Sequence, residues 1–437
     1  MPSDNSRIAA LSALERCRRA GAWSSASIES AIAEYKLDAR ERALASKIAL
    51  GVLQNMTLCD YYIDYFSSSR SKIEPKVRDI LREAVYQLLF MDKIPSSAAV
   101  NEAVKLCRSL GYGRASGFVN AVLRRLASNR NSLPDIDGEG TARYLSVKYS
   151  HPLWLAEEMI SIHGYEFAES FFKANNSEPY TAIQVNTLKT DTENLLSELS
   201  SDGIDAHKHP WLPDCILVKG NVPSLYGFTD GLFYVQDPAA KCAVLVMGLK
   251  SGMSVLDACA APGGKSFAAA IAMKNEGSIL SCDLHEKKLR LIDDGAKRLG
   301  LDIIGTSACD AREDFQDTFD AVIADVPCSG YGVIRKKPEI RYKPENERTG
   351  LPAIQSDILD KLSRRVKVGG LLMYSTCTIF PEENENIVKS FLYKHKEFSA
   401  EDFRLPGGWN STGGMLTFYP HIHGTDGFFT ALLRRNG

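Results

Sequence analysis

The apolar pattern of the chain changes character at Gly252. From there, short apolar runs that suit strands, at residues 254–257, 278–282, 321–324 and 371–374, alternate with helical stretches near 284–299 and 353–366. Such alternation predicts a parallel sheet covered on both faces, an α/β domain. Ligands of such sheets bind at the carboxyl ends of the strands, so the residues just after each strand are the ones to inspect.

The preceding sequence reads differently. Between residues 7 and 130, apolar residues recur at helical spacing, as in Ile8-Leu11-Leu14 and Ile48-Val52-Leu53, and strand signals are nearly absent. Breaks at Gly21, Ser67-Ser68-Ser69, Pro95-Ser96 and Gly111–Gly113 divide this stretch into a bundle of short helices. Residues 129–140, rich in Asn, Ser, Pro, Asp and Gly, read as a linker. Residues 141–240 mix helices near 153–162 and 192–199 with strands near 181–185 and 215–218, a small α+β module. A chain of 437 residues is thus expected to hold an all-α bundle over 1–130, a linker and α+β module over 131–240, and an α/β domain over 241–437.

Charge is distributed unevenly over this plan. Residues 1–130 carry 20 Lys+Arg against 13 Asp+Glu, while the whole chain has a net charge of −2. A basic helical module suits a polyanionic partner, and it equally suits a solvated helical surface. With 44% hydrophobic and 24% charged residues the composition is that of a folded globular protein. The nearly apolar stretch 242–249 is far shorter than the roughly 20 residues a bilayer requires, and the first ten residues, with Asp4 and Arg7, lack an apolar signal core. A cytoplasmic protein with no membrane partner is expected. Its ten cysteines are scattered without a C-x-x-C pair, so they are expected as reduced thiols available for chemistry. The pairs His207-x-His209 and His421-x-His423 have no cysteines at zinc-finger spacing, and no metal site is expected.

The strand ends carry the chemistry. The first runs Asp257-Ala258-Cys259-Ala260-Ala261-Pro262-Gly263-Gly264-Lys265-Ser266, a turn of small residues that lets a ligand approach the backbone and the start of a helix. Its Gly-Lys-Ser ending imitates a phosphate-binding loop, but that motif needs glycine where Cys259 stands, and the dinucleotide G-x-G-x-x-G pattern is missing. Asp283 ends the next strand, 26 residues after Asp257, where an acid grips the ribose hydroxyls of an adenosine-type ligand or else caps the following helix. Asp310 follows a third strand with the same two readings. Then Asp325-Val326-Pro327-Cys328-Ser329-Gly330 and Ser375-Thr376-Cys377-Thr378 place two thiols and a carboxylate at the ends of two further strands. A single free cysteine is ordinarily an inert core residue. Two at strand ends facing a presumed ligand site weaken that reading considerably.

These three motifs together closely resemble the bacterial 16S ribosomal RNA cytosine-C5 methyltransferases of the B type, and residues 7–130 resemble the NusB-type RNA-binding domain of that subfamily. The resemblance implies a Rossmann-like domain that binds S-adenosyl-L-methionine through Cys259, Ala260, Ala261, Pro262, Gly263, Gly264, Lys265, Asp283, Asp310 and Asp325. It further implies Cys377 as nucleophile, Cys328 as the residue that assists release, and 16S ribosomal RNA as partner. Asp325 is placed to hydrogen-bond the base, or to cap a helix. The loop after Cys328 supplies Arg335, Lys336, Lys337, Arg341 and Lys343 against the single acid Glu339, and is expected either to follow an RNA backbone or to be a solvated basic loop. One departure is Gln184, in Ile183-Gln184-Val185-Asn186, where related enzymes commonly show arginine. The competing readings are the same chemistry on transfer RNA, and a non-catalytic RNA-binding or transcription factor. The latter has no need of paired thiols.

Overall fold

A computed structural model describes residues 5–20, 23–67, 73–313 and 317–437. The breaks expected at Gly21 and at Ser68-Ser69 lie outside the described residues. The chain divides into two compact units, Met1–Ser177 with Ile334–Glu345, and Glu178–Val333 with Asn346–Gly437.

The first unit is helical: α1 (Asn5–Ala20), α2 (Ser24–Glu34), α3 (Ala39–Phe66), α4 (Pro75–Phe90), α5 (Ser96–Ser109), α6 (Ser116–Ser128), α7 (Ala142–Lys148), α8 (Leu153–His163) and α9 (Tyr165–Asn175). The sequence suggests a boundary at 130, yet α7 to α9 also belong to this unit. Asp38 starts α3 with a capping box, its side chain accepting from Glu41 N while Glu41 accepts from Asp38 N, which satisfies two of the donors a helix start leaves open. Gly51 lets α4 approach, since a Cβ there would fall 1.9 Å from the Tyr86 ring.

α3 is interrupted at Asn55, whose φ of −126° is not helical. There Leu58 N donates to Ser150 Oγ at 3.0 Å, and the Gln54 carbonyl accepts from Arg341 at 2.7 Å. Arg341 comes from the segment Ile334–Glu345, which packs as part of the helical unit. Its guanidinium also reaches the carbonyls of Tyr149, Ser150 and Asn175, and Tyr342 Oη donates to Leu53 O at 2.6 Å. Two basic residues and an acid of this segment are engaged as well: Lys337 and Lys343 lie over the Trp23 ring, and Glu339 accepts from Ser24 N. The basic loop therefore contains a plug for the α3 kink. Arg341, expected as an RNA contact, is only 2% exposed and both of its Nη atoms are given to backbone carbonyls, which leaves no exposed donor for a phosphate.

The second unit holds two sheets. The smaller consists of β1 (Thr181–Val185), β2 (Ala206–Lys208), β3 (Cys215–Val218) and β4 (Phe233–Val235) in the order β2-β3-β1-β4, all antiparallel, with α10 (Thr192–Ser201). Gln184 is fully buried in β1, where its Nε2 donates to Gln236 O at 2.9 Å.

The larger sheet follows α11 (Pro238–Leu245) and contains β5 (Ser254–Asp257), α12 (Gly264–Ala272), β6 (Ser278–Asp283), α13 (Glu286–Leu299), β7 (Ile304–Ala308), β8 (Phe319–Asp325), α14 (Leu351–Ser363), β9 (Val366–Thr376), α15 (Glu385–Lys394), β10 (Phe398–Ala400), β11 (Met415–Phe418), α16 (Pro420–His423) and β12 (Phe428–Arg435). Its order is β10-β12-β9-β8-β5-β6-β7, with β11 also on β12. The continuous apolar runs are explained by burial on both faces: Val255, Ala321, Ile323, Leu371 and Met373 enter one core, and Leu256, Val322, Ala324, Leu372 and Tyr374 the other. At about 1.5–3 kcal/mol for each large side chain buried, these two layers dominate the stability of the unit. The sheet is not wholly parallel as expected. β10, β11 and β12 run antiparallel to their neighbours; the nine residues between β11 and β12 are too few for a parallel crossover. Among the described residues no helix is long and apolar enough to cross a membrane, and no cluster of three or more potential metal ligands occurs.

Candidate active site

The order β9-β8-β5-β6-β7 decides what meets what. β5, β6 and β7 succeed one another in one direction, β8 and β9 in the other, so the topological switch point, where such sheets bind ligands, lies between β5 and β8. Along the carboxyl ends follow Cys377 after β9, Asp325 and Cys328 at and after β8, Asp257 on β5, Asp283 on β6 and Asp310 after β7.

The two thiols meet. Asp325 pairs in register with Ser375 across β8 and β9, which brings Cys328 Sγ to 3.2 Å from Cys377 Sγ, and Cys377 N donates to Cys328 Sγ at 3.3 Å. Both side chains are half-buried. The contact with Cys377, burial, and the carboxylates of Glu383 and Asp325 all push the Cys328 thiol well above the usual thiol range.

Asp325 is held from both sides: Oδ2 accepts from Lys265 Nζ at 2.6 Å and Oδ1 from Ser375 Oγ at 2.7 Å. Lys265 is buried and also lies over the Phe428 ring. A buried lysine paired with a half-buried carboxylate that a second donor also holds is a well-oriented, charge-assisted arrangement at the mouth of the thiol site.

The turn after β5 is built for close approach. Ala260 N donates to Cys282 O and Gly263 N to Ala260 O, both at 2.7 Å; Gly263 has φ +108° and leads into α12. Asp257 beneath it is fully buried, with Oδ2 accepting from Ser266 Oγ at 2.7 Å and Oδ1 without a hydrogen-bond partner among the described residues. Burial first, and then the charges of Asp325 and Asp283, push its carboxyl up to about 7, against the opposing pull of Ser266 and Lys265. Asp283, also buried, accepts from His285 N at 2.9 Å, so it turns the chain into α13 while standing at the end of β6. Asp310 accepts from Arg312 N, Nε and Nη2, and Arg312 holds its carboxyl below the usual range. Its position suits the edge of a ligand site, but its oxygens are largely engaged.

An open helix start, an orphaned buried carboxylate oxygen and acids at neighbouring strand ends fit a zwitterionic, cationic adenosyl ligand such as S-adenosylmethionine. Glu383, buried and accepting from Ser329 N and Oγ, is absent from the sequence-based selection. The only trace of it in the sequence is an acidic run after Cys377, Glu382-Glu383-Asn384-Glu385, which reads equally as a helix start.

Family models match residues 244–434 as 16S rRNA methyltransferase RsmB/F, residues 4–128 as the NusB family, and residues 151–224 as the ferredoxin-like domain of RsmF/B-like methyltransferases. The chain is 37% identical over the full length of both proteins to the probable ribosomal RNA small subunit methyltransferase B of Bacillus subtilis. It is 31% identical to that of Synechocystis over 97% of each chain. Among solved structures, PH0851 superposes with a TM-score of 0.81 at 30% identity, over 100% of this chain and 99% of that one. NSun6 from Pyrococcus horikoshii with SFG gives 0.60 at 23% identity over 65% of this chain and 98% of that one, a likeness of fold. The chain belongs to the ribosomal RNA small subunit methyltransferase B family.

Proposed function

We propose that the chain methylates C5 of a cytosine in 16S ribosomal RNA, with S-adenosylmethionine as methyl donor and Cys377 as nucleophile. The observation that carries this reading is the pair of thiols 3.2 Å apart at the ends of β8 and β9, beside the Lys265–Asp325 pair. Cytosine C5 is a poor nucleophile. A thiolate adding to C6 turns C5 into an enamine-like carbon, dividing one difficult step into easier ones. S-adenosylmethionine supplies an electrophilic methyl group on a cationic sulfur. Asp325, oriented by Lys265 and Ser375, is placed to hydrogen-bond the base edge as charge develops on addition. Cys328, once its own proton has passed to water, takes the C5 proton; the C5–H electron pair re-forms the C5=C6 bond, the Cys377–C6 bond breaks with sulfur leaving as thiolate, and the methylated base is released. The cofactor would be held by residues 259–265, Asp283 and the acids beside them. The target base has to be unpaired or extruded for C5 and C6 to reach the protein. Arg335, Lys336, Lys337 and Lys343 remain as proposed contacts to the RNA backbone.

The test is transfer of label from radiolabelled S-adenosylmethionine to unmodified 16S RNA, wild type against Cys377→Ala. Label in 5-methylcytosine that vanishes with Cys377→Ala supports reaction and nucleophile together; label only in transfer RNA overturns the substrate, and no label in any RNA overturns the reading. A Cys328→Ala protein should accumulate a covalent protein–RNA adduct on denaturing gels.

A further inference from the structure

Behind the thiol pair lies a buried carboxylate that the scheme above does not use. Glu383 is 1% exposed. Its Oε1 accepts from Ser329 Oγ at 2.5 Å, and its Oε2 from Ser329 N and Gln355 Nε2, each at 2.9 Å. Ser329 Oγ also contacts Thr378 Oγ1 at 2.8 Å, so one network ties the residue after Cys328 to the residue after Cys377. Glu383 is itself fixed by its backbone: Tyr374 Oη donates to its carbonyl, and the neighbouring Asn384 binds Thr376 Oγ1 and Thr378 O.

Among the described residues, every donor to the carboxylate is neutral. A buried charge without a cation is costly, and a glutamine could keep the ties to Ser329 N and Gln355 through its one oxygen and reverse the third, its amide donating to Ser329 Oγ. A carboxylate kept at that cost beside two touching thiols points to a use for its charge. The titratable groups facing Cys328 are Cys377 at the end of β9, Asp325 at the end of β8, Glu383 before α15, and Tyr374 within β9. Lys265 already neutralises Asp325, whereas Glu383 is held at the Cys328 side through Ser329.

We propose that Glu383 is a positioning residue of the thiol pair: through Ser329 it clamps Cys328 against Cys377, and its charge assigns the pair's one proton to Cys328 and the thiolate to Cys377. This assignment rests on the proposed roles of the two thiols. In wild type the nucleophile is then ready, and Cys328 cannot compete with it for the base.

The test is alkylation of the RNA-free protein by iodoacetamide across pH, with Cys377 and Cys328 followed separately by peptide mass spectrometry. A nearby charge shifts proton affinity by one unit or more, so in Glu383→Gln the ratio of Cys377 to Cys328 labelling should fall about tenfold and the pair's titration midpoint should move to lower pH. In methyl transfer, kcat should fall while KM for RNA and S-adenosylmethionine affinity hold. An unchanged ratio and midpoint in folded Glu383→Gln overturn the inference. If that variant fails to fold, Ser329→Ala, which removes the Oγ half of the clamp and leaves the bond from residue 329 N and the carboxylate in place, should lower the ratio by less than Glu383→Gln, and an unchanged ratio there overturns it. The thiol readout needs no RNA. Failure of wild type to methylate cytosine would therefore sink the proposed function, whereas Cys377-dependent methylation with unaltered thiol ratios would sink the Glu383 inference alone.

Discussion

Replacing Arg341 by alanine should unfold the helical unit's kink region and leave RNA affinity untouched per folded molecule. Three of its contacts are well formed, to Gln54 O at 2.7 Å, Tyr149 O at 3.0 Å and Asn175 O at 3.2 Å, and a fourth reaches Ser150 O at 3.3 Å. Hydrogen bonds from a charged donor contribute about 1.5–3 kcal/mol each, so three give roughly 5–9 kcal/mol gross. Against this, burial lowers the proton affinity of Arg341 from 12.5 to about 10, a cost of roughly 3 kcal/mol at about 1.4 kcal/mol per tenfold. The net loss expected for Arg341→Ala is about 2–5 kcal/mol, since water entering the space re-satisfies part of the carbonyls. Arg341→Lys should recover less than half, because an ammonium on a flexible stem cannot span carbonyls arranged for a planar fork. Urea unfolding followed by circular dichroism measures the loss, and filter binding to 16S RNA under native conditions measures affinity. A loss below about 1 kcal/mol, within the range of ordinary surface substitutions, together with weakened RNA binding, would refute the plug and restore Arg341 as a phosphate contact.

Other outcomes follow from the site. The folded-state value of Asp257 lies above its ordinary one, about 7 against 3.8. The folded protein thus holds an extra proton between those values, and this contribution to stability is full below about pH 4 and lost as pH rises towards 7. Asp257→Asn should abolish that decline, worth roughly 4 kcal/mol at about 1.4 kcal/mol per pH unit; parallel stability curves for the two proteins would contradict it. Gly263→Ala combines φ +108° with a Cβ 2.5 Å from the Phe267 ring, and should cost about 1–3 kcal/mol and weaken S-adenosylmethionine binding by calorimetry. Reversing the exposed Lys336 and Lys337 together should weaken 16S RNA binding, increasingly at low salt, and spare cofactor affinity.

Much of the site was legible in the sequence because chemistry at a strand end needs particular residue types in short runs. The two thiols, Asp325 and the small-residue turn after Asp257 each announce themselves within ten residues. Glu383 and Gln355 did not, because their roles arise from contacts with distant chain: Glu383 binds Ser329, 54 residues away, and Gln355 binds Pro327 O and Glu383, each 28 residues away. The same holds for Gln184, whose burial under Gln236 O is a matter of sheet pairing.

Local periodicity by itself determined the helical start, the alternating α/β second half and the parallel pairing of β5 to β9, since burial on two faces demands unbroken apolar runs. Only the tertiary structure decided that β12 returns antiparallel beside β9, that the Sγ atoms of Cys328 and Cys377 touch, and that Arg341 fills a helix kink. A basic residue in a loop reads the same whether its charge faces water or four backbone carbonyls. What separates the two is the neighbour supplied by distant chain, here the interruption of α3 at Asn55 that left the Gln54 carbonyl open to it.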